Sequence, residues 1–178
     1  MMQDLALRLA PAAASVANFC DHIEHNEYAD RAWVEDAAVV FREAALDLAM
    51  AAGIDLKTAY AARLREIEAC NLLQGPGAYD GARAARDAAT LRQLQLVQFA
   101  HDRHYHPDVI GLARTDQLRH IALHLAKIVG AFAEPRSDDE ILRRRLPDVL
   151  LFSIKLATVM NCRLPETELV PTSADRTE

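Results

Sequence analysis

Between residues 115 and 133, Leu118, Ile121, Leu125, Ile128 and Phe132 fall at three- and four-residue spacing. That is the period of one face of an α-helix. Beside this stripe runs a second one, of His120, His124 and Lys127, spread over about 60° of arc at 100° per residue. A helix over 147–161 turns Val149, Leu150, Leu156, Ala157 and Met160 inward, with Pro147 in its first turn, where a missing N–H is harmless. The same reading predicts helices over 3–25, 30–52, 55–72, 82–104 and 115–133, and one over 138–161 that takes in the Pro147 segment.

The breaks between these runs carry turn chemistry. Gly53 stands where a left-handed residue would close the second helix, and Asp55 caps the third with Thr58 in its first turn. Residues Gln74 to Gly81 hold three of the six glycines and Pro76, so no helix is expected to pass through them. Pro107 pushes His106 out of the α region. Thr115, followed by Asp116 and Gln117, has the form of an N-cap. Pro135 and the run from Ser137 to Glu140 mark the next stop and start. The short connections predict an all-α, antiparallel helical bundle. It forms a single domain over 1–165, with halves 1–73 and 82–165 joined by a Gly/Pro loop at 74–81. Residues 166–178, polar and without period, are read as a flexible tail.

Composition sharpens this picture. The chain has 178 residues, 51% hydrophobic but only 6% aromatic, and its apolar set is dominated by alanine and leucine, the strongest helix formers. A net charge of −6 and a pI near 5.6 argue against a nucleic-acid partner, which needs a basic footprint to displace counterions. The local run Arg143, Arg144 and Arg145 fits a solvated face or an anion contact better. Cys20, Cys70 and Cys162 are far apart and form no CxxC pair, so reduced core thiols are expected. No run approaches the roughly 20 apolar residues that span a bilayer, and Met1 to Ala14 lacks a basic segment followed by an apolar one. A cytoplasmic protein without membrane contact is expected.

Candidate chemistry gathers in one part of the chain. His101, His104, His106, His120 and His124 are five of the seven histidines. His120 and His124, at i and i+4, can point at one ion, and His104, His106 or Asp108 could complete a set. No full signature such as HExxH is present, so the metal and cofactor remain open, and solvated surface histidines are the competing reading. Asp148 is either an interior carboxylate or a first-turn charge favoured by the helix dipole, with Arg144 four residues earlier as a partner. No GxSxG elbow, P-loop or GxGxxG occurs, and Cys70 has no histidine near it in sequence.

The order of elements in 91–166 resembles the MazG-like all-α nucleotide pyrophosphohydrolases. The resemblance rests on Leu91-Arg-Gln-Leu-Gln95, on Leu123-His-Leu-Ala-Lys-Ile-Val-Gly-Ala-Phe132, and on Leu146-Pro-Asp-Val-Leu-Leu-Phe152 with Leu156-Ala157. The first half echoes the same ending in Leu46-Asp-Leu-Ala-Met-Ala-Ala-Gly-Ile-Asp-Leu56, followed by Lys57-Thr-Ala-Tyr-Ala-Ala-Arg-Leu64. The resemblance implies a MazG-like bundle, a homodimer, and ExxE and ExxD carboxylates that hold magnesium on nucleotide phosphates. Those positions fall here on His124 and Lys127, and on Arg145 and Asp148, so one carboxylate of four survives. Magnesium wants oxygen ligands, and little magnesium-dependent hydrolysis is expected.

Three functional readings follow. The first is a MazG-like protein that binds a nucleotide or other small anion through His104, His106, His120, Lys127 and Arg145. The second is a re-tooled histidine site, with His124 as acid/base or ligand and Asp148 orienting it. The third is a helical interaction scaffold without chemistry. In the first two, Lys127 or His124 is expected to pair with Asp148.

Overall fold

The computed structural model describes residues 2–70, 78–134 and 139–169. Among them are eight helices: α1 (Met2–Glu24), α2 (Ala32–Ala51), α3 (Leu56–Cys70), α4 (Gly81–Asp87), α5 (Leu91–Tyr105), α6 (Pro107–Ile110), α7 (Arg114–Ala133) and α8 (Asp139–Val159). No strand occurs among the described residues; a single bridge joins Thr90 and Glu168. None of the described helices is long and apolar enough to cross a membrane.

Four long helices close a ring: α1 packs on α2 and α7, and α8 packs on α2 and α7. The residues between α1 and α2 can reach about 25 Å, less than the ~30 Å length of a twenty-residue helix, so the two run antiparallel. The α7 face read from the sequence is the core face: Leu118, Ile121, Leu125, Ile128 and Phe132 are all buried. On α8, Val149, Leu150, Leu156, Ala157 and Met160 are buried as well. Helices α3 and α5 cover the remaining side of α8, α4 spans from α3 to α5, and α6 links α5 to α7.

Several boundaries follow their local chemistry. Gly53 has φ +62°, the left-handed turn that ends α2. Asp55 accepts a hydrogen bond from the Thr58 N–H at 3.0 Å and caps α3. Other expectations need correction. The helix expected over 82–104 is two, because Ala88, Ala89 and Thr90 leave the helix. Thr90 is extended and caps α5 by accepting from the Gln93 N–H at 3.2 Å. This break also docks part of the expected tail. The Leu91 N–H donates to the Thr167 carbonyl at 3.1 Å and the Leu169 N–H to the Ala89 carbonyl at 3.2 Å, and Leu164 and Leu169 are buried. Residues 166–169 are therefore part of the fold, and 170–178 lie outside the described residues.

Three smaller readings also change. The residue before α7 is Ala113, without a side-chain cap, so Thr115 is not the N-cap. Pro147 lies inside α8 rather than opening a helix. Its missing donor forgoes the bond to the carbonyl four residues earlier, and burial of Leu142, Leu146, Val149 and Leu150 around it holds the helix together. Of the cysteines, only Cys20 is a core thiol; Cys162 is half-buried and Cys70 exposed. Half of the expected Gly/Pro loop, residues 74–77, lies outside the described residues, and Gly81 already begins α4.

Candidate functional site

Between α3, α5, α6, α7 and α8 lies a cleft of two lobes that share His106, Val109, His120 and Lys155 as a common wall. One lobe, about 250 Å³, is lined by Arg63 of α3, by His124 and Lys127 of α7, and by Arg145, Asp148 and Phe152 of α8. The other, about 260 Å³, is lined by the amides of Gln98, Gln117 and Asn161, by apolar side chains such as Phe99 and Ile110, and by the charged Asp102 and Arg114. Helical spacing explains the α8 contribution. Arg145, Asp148, Phe152 and Lys155 follow one another at three- and four-residue steps, a stripe on one face. His120, His124 and Lys127 make the matching stripe on α7.

Electrostatics in the first lobe is dominated by cations. Arg63, Lys127, Arg145 and Lys155 face it, against the single carboxylate of Asp148. Asp148 is 4% exposed. Its Oδ1 accepts from Arg63 Nε at 2.6 Å and its Oδ2 from Arg145 Nη1 at 3.3 Å. The partners expected from the sequence were Lys127, His124 or Arg144. Lys127 and Arg144 are instead exposed, and the residue three before Asp148 takes the place of the one four before it.

The histidines of the cleft are held neutral. His124 is pushed down to about 4, first by burial, then because its proton would compete with one on the neighbouring His120 ring, and by the ammonium groups of Lys127 and Lys155, with Asp148 only partly offsetting them. Its ring stacks on Phe152 at 4.6 Å and 19°, and the His120 ring stands 4.7 Å away. Burial and the Lys155 charge also lower His106 and His120.

Behind the wall lies a buried polar array that the sequence reading did not single out. Lys155 Nζ donates to Asp102 Oδ1 at 2.9 Å, and Gln98 Nε2 donates to the same oxygen at 2.9 Å. Tyr60 in turn donates its hydroxyl to Gln98. His101, wholly buried, sits with its ring nitrogens 3.9 Å from Asp102 and 3.9 Å from Glu68. Burial raises the Asp102 carboxyl, but the His101 ring and the Lys155 ammonium outweigh it, and the net is a lowered value. Asp102 thereby anchors the ammonium that divides the two lobes.

The cleft brings together His106, His120, His124, Lys127, Arg145 and Asp148. It leaves out His104, which lies 3.4 Å from the Tyr79 N–H and against the Tyr105 ring. His101, read with the solvated histidines as an alternative, is instead interior. Arg63, Asp102 and Lys155 were missed. The α8 stripe could have shown Lys155, whereas Arg63 reaches the cleft only through the packing of α3 on α8.

The four positions that the family resemblance equates with metal-binding carboxylates, His124, Lys127, Arg145 and Asp148, do line one lobe. Magnesium needs an octahedron of oxygen ligands. The two carboxylates of the cleft, Asp148 and Asp102, are already bonded to cationic side chains. Among the described residues, no three histidine, cysteine, aspartate or glutamate side chains are grouped to hold a metal ion. The residues present therefore do not fit magnesium. Comparison of the chain with protein-family models, with curated proteins and with solved structures finds no match.

Proposed function

We propose that the chain binds a nucleotide or a similar small phosphorylated molecule in this cleft. It does so as a MazG-like helical protein from which magnesium-dependent pyrophosphohydrolase activity has been lost. The observation that carries this reading is the lining of the first lobe, four cationic side chains with one carboxylate among them. Arg63 and Lys155 also pair with Glu66 and Asp102 outside that lining, and Lys127 is exposed at it. Guanidinium and ammonium groups are the side chains that recognise phosphate oxygens. The second lobe offers amide groups and apolar walls, the mixture that orients the organic body of a ligand. Calorimetric titration of the protein with nucleoside mono-, di- and triphosphates tests the reading. Affinity should rise with phosphate number and fall with salt; no binding of any of them at low salt would overturn it.

One observation favours a second reading, a re-tooled active site. An imidazole kept neutral at pH 7, as His124 is, can accept a proton from an attacking water or hydroxyl. Asp148, bound to two arginines, does not orient it by a hydrogen bond, so this reading rests on His124 and His120. Turnover of a phosphorylated substrate that is abolished in His124→Gln supports it, and turnover that survives that change removes it. The homodimer implied by the resemblance is part of the proposal, and light scattering tests it.

A further inference from the structure

We propose that the cationic lobe takes its anion bare, so that magnesium competes with the protein for the ligand instead of bridging the two. The inference rests on the reading of the cleft as an anion site and concerns the form of ligand that the site accepts.

The position a bridging metal would need is already filled with positive charge from the chain. Both oxygens of Asp148 accept from guanidinium groups, Arg63 at 2.6 Å and Arg145 at 3.3 Å. The other carboxylate of the cleft, Asp102, accepts from Lys155 and Gln98 on one oxygen, both at 2.9 Å. A divalent cation entering the lobe would find its one carboxylate, Asp148, already shared between two guanidinium groups, and would sit among like charges. The neighbouring imidazoles do not compensate, because the hard magnesium ion prefers oxygen.

For a bare polyanion the same arrangement is favourable. Lys127 is exposed at the lobe and Lys155 stands at the wall between lobes, so two ammonium groups are placed to receive phosphate oxygens. The guanidiniums held by Asp148 stay fixed and need little ordering when the ligand arrives. A ligand already carrying magnesium has lost much of the charge these groups would meet and brings a cation into their midst.

The test uses the full chain with inorganic pyrophosphate and tripolyphosphate as probes, titrated in EDTA and in excess magnesium at matched ionic strength. Binding is expected in EDTA. Apparent affinity should fall about tenfold or more in magnesium, by mass action on the free probe. Lys127→Gln, a change at an exposed position that leaves folding intact, should weaken binding in EDTA several-fold. Affinity that requires magnesium, rises with it or is unchanged by it would overturn the inference while leaving an anion site standing. Absence of binding in both conditions would overturn the inference and the anion-site reading together.

Discussion

The Nε of Arg63 donates to Oδ1 of Asp148 at 2.6 Å, tying α3 to the middle of α8 beside the cleft. Asp148 is 4% exposed, so this bond and that from Arg145 are what make its charge tolerable there. Removing one partner of a buried pair leaves the other desolvated and under-bonded. Arg63→Met should therefore lower stability by about 1–3 kcal/mol, read as a lower urea midpoint with an unchanged slope. A change of less than about 0.5 kcal/mol, the usual scale of a surface substitution, would show that Arg145 alone suffices.

Lys127 provides the contrast. Sequence spacing and the family resemblance placed it as the partner of Asp148, and on that reading its truncation would orphan a buried charge. In the structure it is exposed and Asp148 is served by two arginines. Lys127→Ala should change stability by no more than about 0.5 kcal/mol. A loss as large as that of Arg63→Met would return Lys127 to the role of structural partner.

How far the sequence reached follows from the range of the interactions involved. The α7 core face and the His120, His124 and Lys127 stripe are consequences of a local period, and both were legible. The break at Ala88 to Thr90 was not. Alanines carry no stop signal, and the extended segment exists because 164–169 returns from the far end of the chain to pair with it. The polar face of α5 was invisible for a related reason. Gln95, Gln98, His101 and Asp102 occupy core-facing positions, where a search for apolar residues reads them as solvent-facing. Their partners come from elsewhere in the chain: Thr158, Cys162 and Leu164 for Gln95, and Tyr60, Lys155 and Glu68 for the other three.

Two glycines make opposite predictions. A Cβ on Gly81 would lie 2.7 Å from Cδ2 of His101 and 3.1 Å from a Glu68 oxygen. His101 is wholly buried and cannot easily give way, so Gly81→Ala should cost about 1–3 kcal/mol through overpacking. Gly130 lies within α7 with nothing within 4 Å of an added Cβ. Gly130→Ala should stabilise by roughly 0.5–1 kcal/mol, because alanine loses less entropy in a helix. Thermal or urea unfolding of the two variants checks both signs, and a stabilised Gly81→Ala would mean that the contact over His101 is loose.

The neutral histidines of the cleft make stability depend on pH. His124 ordinarily titrates near 6.5 and is pushed down to about 4 in the folded chain. Between those values the unfolded chain binds a proton that the folded one refuses, so stability rises with pH across the window. The contribution is whole above about 6.5, drains away as pH falls, and levels off below about 4. His106 and His120 are lowered too and act in the same direction. Asp102 cannot be the cause in this range. Its lowered carboxyl keeps its stabilising charge until the pH drops below its ordinary value of 3.8. His124→Gln removes one titrating ring while keeping a polar side chain at the cleft. Urea unfolding from pH 7 to pH 4 should then show a shallower loss of stability in the variant than in the parent. Parallel curves would mean that His124 takes up its proton in the folded state as readily as in the unfolded one, and that the cationic groups around it are too well solvated to hold it neutral.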